Sequence, residues 1–228
     1  MLTNEAIWIG KAMAELPVDM ISPCLNLGSS TAHFRKVGQP HIEAQIVARG
    51  EARGVQFIHA DMKDEPGVDV AGDILDPAFQ AILAALAPGS VLCCNIFEHV
   101  RDRQQLAELC ARIVRPNGYV VVSVPRSFPY HLDPIDSYYR PTPADIAALF
   151  PNCKIVTSDV VSDKTYWNEL SELKLRDRVL TLLKTLVHLP IPFYKWERWK
   201  SRIHPLFWLF RRYRVSIVIF QRDCYPSA

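Results

Sequence analysis

Apolar positions along this 228-residue chain follow two rhythms. Short continuous runs of Val, Ile, Leu and Cys, the mark of strands buried on both faces, occur at 24–28, 55–61, 68–73, 91–96, 119–125, 153–161 and 214–223. Between the runs, apolar residues recur three or four positions apart, as on one face of a helix. Helices are expected on this basis over 6–16, 40–54, 76–89, 101–118 and 142–150. The ends carry matching signals. Pro40 and Pro77 suit first helical positions, Asp76 and Thr142 suit N-caps, and Pro-Gly and Pro-Asn-Gly act as stops. Strands alternating with helices predict a doubly wound, mostly parallel seven-stranded α/β sheet with helices on both faces. One unit over 1–228 is expected at this length.

In such sheets ligands bind beyond the carboxyl ends of the strands, where the strand order reverses. Reading only those ends gives "NLGSST", "HAD", "AGD" and "NIFEHV" for the first four strands. Gly28 lets a backbone approach a ligand with no Cβ in the way. Ser29 and Ser30 add hydroxyls. Asp61, ending the second strand, is placed to accept hydrogen bonds from ribose hydroxyls, and Asp73, after the third, from an adenine amino group. Each has an ordinary turn or cap reading too, and the weight lies in four strand ends falling in the right order. Glu98 and His99 stand at the mouth, after a strand that reads as fully buried. A dinucleotide enzyme is not expected, because "GSSTAH" lacks the glycine spacing that a pyrophosphate needs.

Order and wording of these segments resemble the seven-stranded class I S-adenosylmethionine-dependent methyltransferases, most of all the type-11-like branch with "EHV" after the fourth strand. The match is densest over 91–124, where that segment is followed by a helix, "RPNG" and an apolar strand. The resemblance implies that the last strand inserts antiparallel beside the fifth. It implies S-adenosylmethionine as cofactor, held by Leu27, Gly28, Ser29, Ser30, Asp61, Met62, Asp73, Ile74, Asn95, Ile96 and Phe97. The stretch "PYHLDPIDSYYRPTPADI" resembles the loop and helix that follow the fifth strand in members acting on sugars and other small acceptors. A hydroxyl acceptor benefits from a general base, for which His99, His131 and Asp133 are the candidates, with Tyr138, Tyr139 and Arg140 to bind the acceptor. Two departures stand out: Asn26 where the family carries an acid, and a single glycine in the first loop. Gly28 and Asp61 are 33 residues apart against the usual ~20, and "RKVGQP" is a candidate insertion between them. The expected activity is O-methylation of a small-molecule or glycan hydroxyl; the alternative is a non-catalytic, methyltransferase-like assembly partner at a membrane surface.

Charge changes the picture at one end only. Residues 165–228 hold 12 Lys or Arg against 5 Asp or Glu, a net of +7, which leaves −5 for the rest of a chain whose total is +2. Over 166–213 these basic residues interleave with Trp, Phe and Leu, in a helical insertion before the last strand. Two readings stand for it: a lid packing its apolar face on the sheet, or an element at a lipid headgroup boundary, which suits an acceptor carried on a lipid. Nucleic acid is not expected as a partner, since no recognised module is present. Six cysteines without CxxC or metal-ligand spacing suit a reducing compartment, and no metal is expected. The N-terminus lacks the form of a secretory signal and no run is long enough to span a bilayer. A cytoplasmic protein, peripheral at the inner membrane face, is the resulting expectation.

Overall fold

The computed structural model describes residues 1–131, 136–188 and 196–223. Seven strands form one sheet: β1 Cys24–Leu27, β2 Phe57–Asp61, β3 Val70–Ala71, β4 Ser90–Cys94, β5 Tyr119–Ser127, β6 Cys153–Ser162 and β7 Arg214–Arg222. Their order is β3-β2-β1-β4-β5-β7-β6, with β7 antiparallel to both its neighbours. This is the arrangement expected from the sequence, including the inserted last strand. β3 is shorter than expected, pairing with β2 at Val70 and Ala71, just after Asp69, whose carboxylate accepts the His59 amide (2.7 Å).

Each central strand divides its side chains between two cores, as a period of two requires. Val120, Val122 and Val124 of β5 join Leu25, Val91, Cys93 and Phe220 under the helices Pro77–Ala85 and Arg103–Ile113. Tyr119 and Val121 join Cys24, Leu92, Ile217 and Ile219 under the N-terminal helix Thr3–Ala14. The expected caps are in place: the Asp76 carboxylate accepts from the Ala78 amide, and the Thr142 hydroxyl from that of Asp145. The helix expected at 40–54 runs as a chain of short pieces from Pro40–Ile42 through the π-helical Glu43–Val47 to Ala48–Glu51. A further π turn, Phe34–Gly38, precedes it and holds most of "RKVGQP". The long interval between Gly28 and Asp61 is taken up there. Gly10 allows the N-terminal helix to meet this chain of turns: a Cβ at Gly10 would lie 1.9 Å from the Gln45 carbonyl oxygen.

The N-terminal helix begins three residues earlier than its apolar rhythm suggests. Glu5 is the reason: its Oε2 accepts the Leu2 amide (2.8 Å) and closes the first turn. Its Oε1 accepts from Asn95 Nδ2 (2.8 Å) and the Ser123 hydroxyl (2.6 Å), pinning the helix to the ends of β4 and β5. Glu5 is wholly buried, so its removal strands three polar partners. Glu5→Ala is expected to cost about 1–3 kcal/mol in urea unfolding, and Glu5→Gln distinctly less.

The insertion between β6 and β7 contains Tyr166–Glu172, Leu175–His188, Trp196–Ile203 and the 3-10 turn His204–Trp208. Its base is packed: Leu170, Trp208 and Tyr213 are buried, and Trp208 Nε1 donates to the Ser127 hydroxyl (3.0 Å). The helix Leu175–His188 is different. Leu175 is 73% exposed and Val187 62%, with Val179, Leu180, Leu182 and Leu183 also exposed. The base of the insertion packs on the sheet, while this helix leaves apolar side chains exposed. No helix among the described residues is long and apolar enough to cross a membrane.

Candidate functional site

Register sets the site. Leu27 lies level with Ala60 of β2 and Cys93 of β4, so the turn at Gly28 opens beside Asp61 and below the chain leaving β4. Gly28 adopts φ +67°, a backbone that favours glycine, and a Cβ there would lie 2.7 Å from Ile96 Cδ1, whose end would have to shift. The turn after β1 and the loop after β4 are in contact, as the strand-end reading expects.

The first loop satisfies itself rather than cradling an anion. The Ser29 amide donates to Ala60 O (3.1 Å), the Ser30 amide to Asp61 Oδ2 (2.7 Å), and the buried Ser29 hydroxyl to Ser30 O (3.0 Å). Ser29 is thus not a ligand hydroxyl as expected. Asp61 Oδ1 accepts the Lys63 amide (3.1 Å). Each carboxylate oxygen keeps a lone pair beyond the one accounted for, so Asp61 can still accept from a ribose hydroxyl. Arg35, which strand-end reading missed, sits buried behind this loop and donates to the carbonyls of Ser29, Ser30 and Gly67 (3.2, 2.6 and 2.8 Å). Burial pulls its guanidinium below its ordinary range, opposed by the charges of Glu43, Asp69 and Asp61. It fixes the loop's carbonyls. Its signal in the sequence was weak, since an Arg–Lys pair after a loop reads as surface.

Asn26, in place of the expected acid, pairs with its register partner His59 (Nδ2 to Nδ1, 3.2 Å). Of the other expected cofactor residues, Met62 is exposed, and Asp73 is exposed with its Oδ1 holding the Leu75 amide. Ile74 is partly buried. Leu27 and Phe97 turn into the core, Phe97 against Phe150 at 6.3 Å between ring centres, so only their main chain can face a ligand. Asn95 adopts φ +55° and spends its amide on Glu5.

Across the mouth, the end of β4 and the chain leaving β5 bring together what the sequence keeps 32 residues apart. Donor atoms of Glu98, His99 and His131 all lie within 4.8 Å of one another. Glu98 is 1% exposed, with Oε1 3.7 Å from His99 Nε2 and Oε2 without a hydrogen-bond partner. Burial pushes its carboxyl up to about 7, with the nearby charges of His131 and Arg140 pulling the other way. The rings of His99 and His131 meet edge to face at 5.3 Å. Asp133 lies outside the described residues.

Behind this cluster, Asp136 receives a two-pronged ion pair from Arg140 (3.0 and 2.6 Å) and the Tyr138 amide (2.7 Å), with His131 Nδ1 at 3.2 Å from its Oδ2. Burial alone would raise the Asp136 carboxyl; His131 and Arg140 outweigh it and hold it well below the usual carboxylate range. Arg140 is therefore committed to the loop, donating also to the carbonyls of Phe128, Pro129 and Tyr139, rather than open to an acceptor as expected. Tyr139 is held under the Arg103 guanidinium, 4.2 Å from its ring centre. Of the three expected acceptor residues, Tyr138 is the exposed one.

The fold and strand order are those of the class I S-adenosylmethionine-dependent methyltransferases. Among solved structures, coclaurine N-methyltransferase bound to N-methylheliamine and S-adenosylhomocysteine aligns with TM-score 0.53 at 12% identity, covering 96% of this chain and 70% of the other. A methyltransferase from Archaeoglobus fulgidus aligns with TM-score 0.50 at 12% identity, covering 95% and 94%. The 4+2 cyclase SpnF also aligns, with TM-score 0.50 at 10% identity, covering 95% and 80%. In sequence, a ubiquinone biosynthesis O-methyltransferase from Cupriavidus pinatubonensis is 48% identical over 44 residues, a match that covers 18% of each chain. No family model matches.

A pH effect follows from His59. Burial, and then the charge of Arg35, lower its imidazole from 6.5 to about 4, so folding favours the neutral ring. The unfolded chain takes up the proton first, and stability falls as pH drops from 6.5 towards 4. Urea unfolding of His59→Gln over that interval is expected to lose less stability than the wild type.

Proposed function

We propose that the chain is an S-adenosylmethionine-dependent methyltransferase acting on the hydroxyl of a small molecule or glycan. The observation that carries this reading is the mouth itself: Gly28, Asp61 and Asp73 on one side, and Glu98, His99 and His131 on the other. The residues fit the cofactor. Asp61 retains acceptor capacity for a ribose, and the first loop turns its Ser29 and Ser30 amides inward, which suits a ligand without phosphate. S-adenosylmethionine, when bound, supplies an electrophilic methyl group on a cationic sulfur.

The chain's own work is to align the acceptor and accept its proton. Alignment accounts for most of the rate in an in-line displacement. Tyr138 is exposed on the acceptor loop, and the Asp136–Arg140 pair holds that loop in shape. An imidazole of the His99–His131 pair is the base for the hydroxyl proton, with Glu98 beneath it to stabilise the imidazolium. A hydroxyl acceptor is supported by this cluster, since an amine free-base nucleophile needs no base of its own.

The insertion supports a lipid-carried acceptor. It lies against the acceptor loop, with the Tyr130 amide donating to His204 Nδ1 (2.7 Å) and Lys200 4.5 Å from the Tyr130 ring centre. It also holds the exposed apolar helix Leu175–His188 within the basic part of the chain. Such a surface suits an anionic membrane. A second reading, a non-catalytic partner with this fold, is favoured by Asn26 and the single loop glycine.

Calorimetric titration with S-adenosylhomocysteine separates the two. Binding at micromolar affinity or tighter, with NAD silent, is expected; Asp61→Ala is expected to weaken it at least about tenfold, since both a ribose acceptor and the Ser30 anchor are lost. No heat from a folded wild type overturns the enzyme reading. The full chain is also expected to float with anionic but not neutral vesicles, and Leu183→Glu with Val187→Glu to reduce flotation. Failure to float with anionic vesicles sinks the membrane reading alone.

A further inference from the structure

We propose that Glu98, His99 and His131 form a binding site for a divalent transition metal, zinc in the first instance. The site lies at the mouth described above, and its role in the reaction rests on the methyltransferase reading; the binding itself does not.

Three features of the structure converge on it. The first is the donor set: one carboxylate and two imidazoles whose ligand atoms lie within 4.8 Å of one another, with Glu98 Oε1 and His99 Nε2 already at 3.7 Å. A metal about 2.0–2.2 Å from each donor requires donors roughly 3–3.5 Å apart. Small side-chain rotations close that gap, and His131, 31% exposed, has room to turn. Two nitrogens and one oxygen suit zinc and its transition-metal neighbours better than magnesium or calcium, which take oxygens.

The second is Glu98 Oε2, a carboxylate oxygen buried with no hydrogen-bond partner. An isolated buried anion is costly, and a cation at this point removes the cost. The third lies behind His131. Its Nδ1 is buried without a hydrogen-bond partner, 3.2 Å from Asp136, whose carboxylate is locked by Arg140. A small turn of the ring would complete that bond, and a carboxylate behind an imidazole is the usual means of orienting a metal-binding histidine. Three protein donors with His99 17% and His131 31% exposed leave one side open, as in catalytic sites rather than closed structural ones.

The consequence for the reaction is specific. With zinc bound, Glu98, His99 and His131 would hold it and both rings would be spent as ligands. The ion would then supply the activation of the acceptor hydroxyl that an imidazole supplies without it. The hydroxyl proton passes to water and the methyl group moves from sulfur to oxygen, with the C–S electron pair left on sulfur. A Lewis acid here lowers the hydroxyl pKa without needing a base.

The test is metal binding by the full chain after chelator stripping, with zinc followed by calorimetry and cobalt by its visible absorption. One metal per chain at micromolar affinity or tighter is expected, with an imidazole-type cobalt spectrum. Glu98→Gln and His131→Ala are each expected to weaken binding at least about tenfold, while His33→Ala, at an exposed histidine away from the site, leaves it unchanged. No binding by the folded wild type, or binding that survives both site variants, overturns the proposal. S-adenosylhomocysteine titrated into the same stripped samples keeps the two readings apart. Metal without nucleoside binding sinks the methyltransferase reading alone, and nucleoside without metal binding sinks this one alone.

Discussion

Every feature of the mouth depends on the parallel pairing of β1 with two neighbours at once. β1 is four residues long, yet it sets β2 and β4 side by side with Ala60 and Cys93 level with Leu27. Because the chain leaves β1 on one side for β2 and returns on the other as β4, the connections diverge, and a crevice opens above the strand ends. A one-residue slip would exchange the two cores and turn Gly28 away from Ile96. The two buried faces prevent it, since Cys24 and Leu25 belong to opposite cores.

The crevice is bordered by an unusual number of buried polar groups, and the way each is satisfied tells its role. Glu5 finds a helix amide, an amide side chain and a hydroxyl; Arg35 finds three carbonyls; Asp136 finds Arg140 and an amide. These groups are the frame, fixing respectively the N-terminal helix, the first loop and the acceptor loop. Arg35 Nε and one Glu98 carboxylate oxygen are left without partners, and Glu98 stands beside His99 and His131. An unpartnered carboxylate oxygen beside two imidazoles is the reason the proposed metal site falls here.

The insertion divides in the same way. Trp208, Tyr213 and Leu170 root it on the sheet, while Leu175, Leu183 and Val187 face outward. A helix that left these residues bare only to bridge two strands would be a liability. The insertion is tied to the chain leaving β5 through the Tyr130 amide and His204.

Much of this was legible in the chain itself. Continuous apolar runs specify strands buried on both faces, and their alternation with helical periods implies the doubly wound sheet; the caps at Asp76 and Thr142 follow from local chemistry alone. Gly28, Asp61 and the Glu98–His99 pair were legible for the same reason, because a strand end is a sequence position before it is a place. The side-chain partners of Ser29, Phe97 and Arg140 were not legible: which way a side chain turns, and what else competes for it, depends on neighbours far along the chain. Glu5, Arg35 and the meeting of His131 with Glu98 were beyond sequence reading, since each joins residues separated by 30 or more positions through packing rather than spacing. Local pattern determined the elements and the rim of the crevice. Only the tertiary structure decided which polar groups there are spent on holding it open and which remain to act, because partnership is a property of the folded contacts.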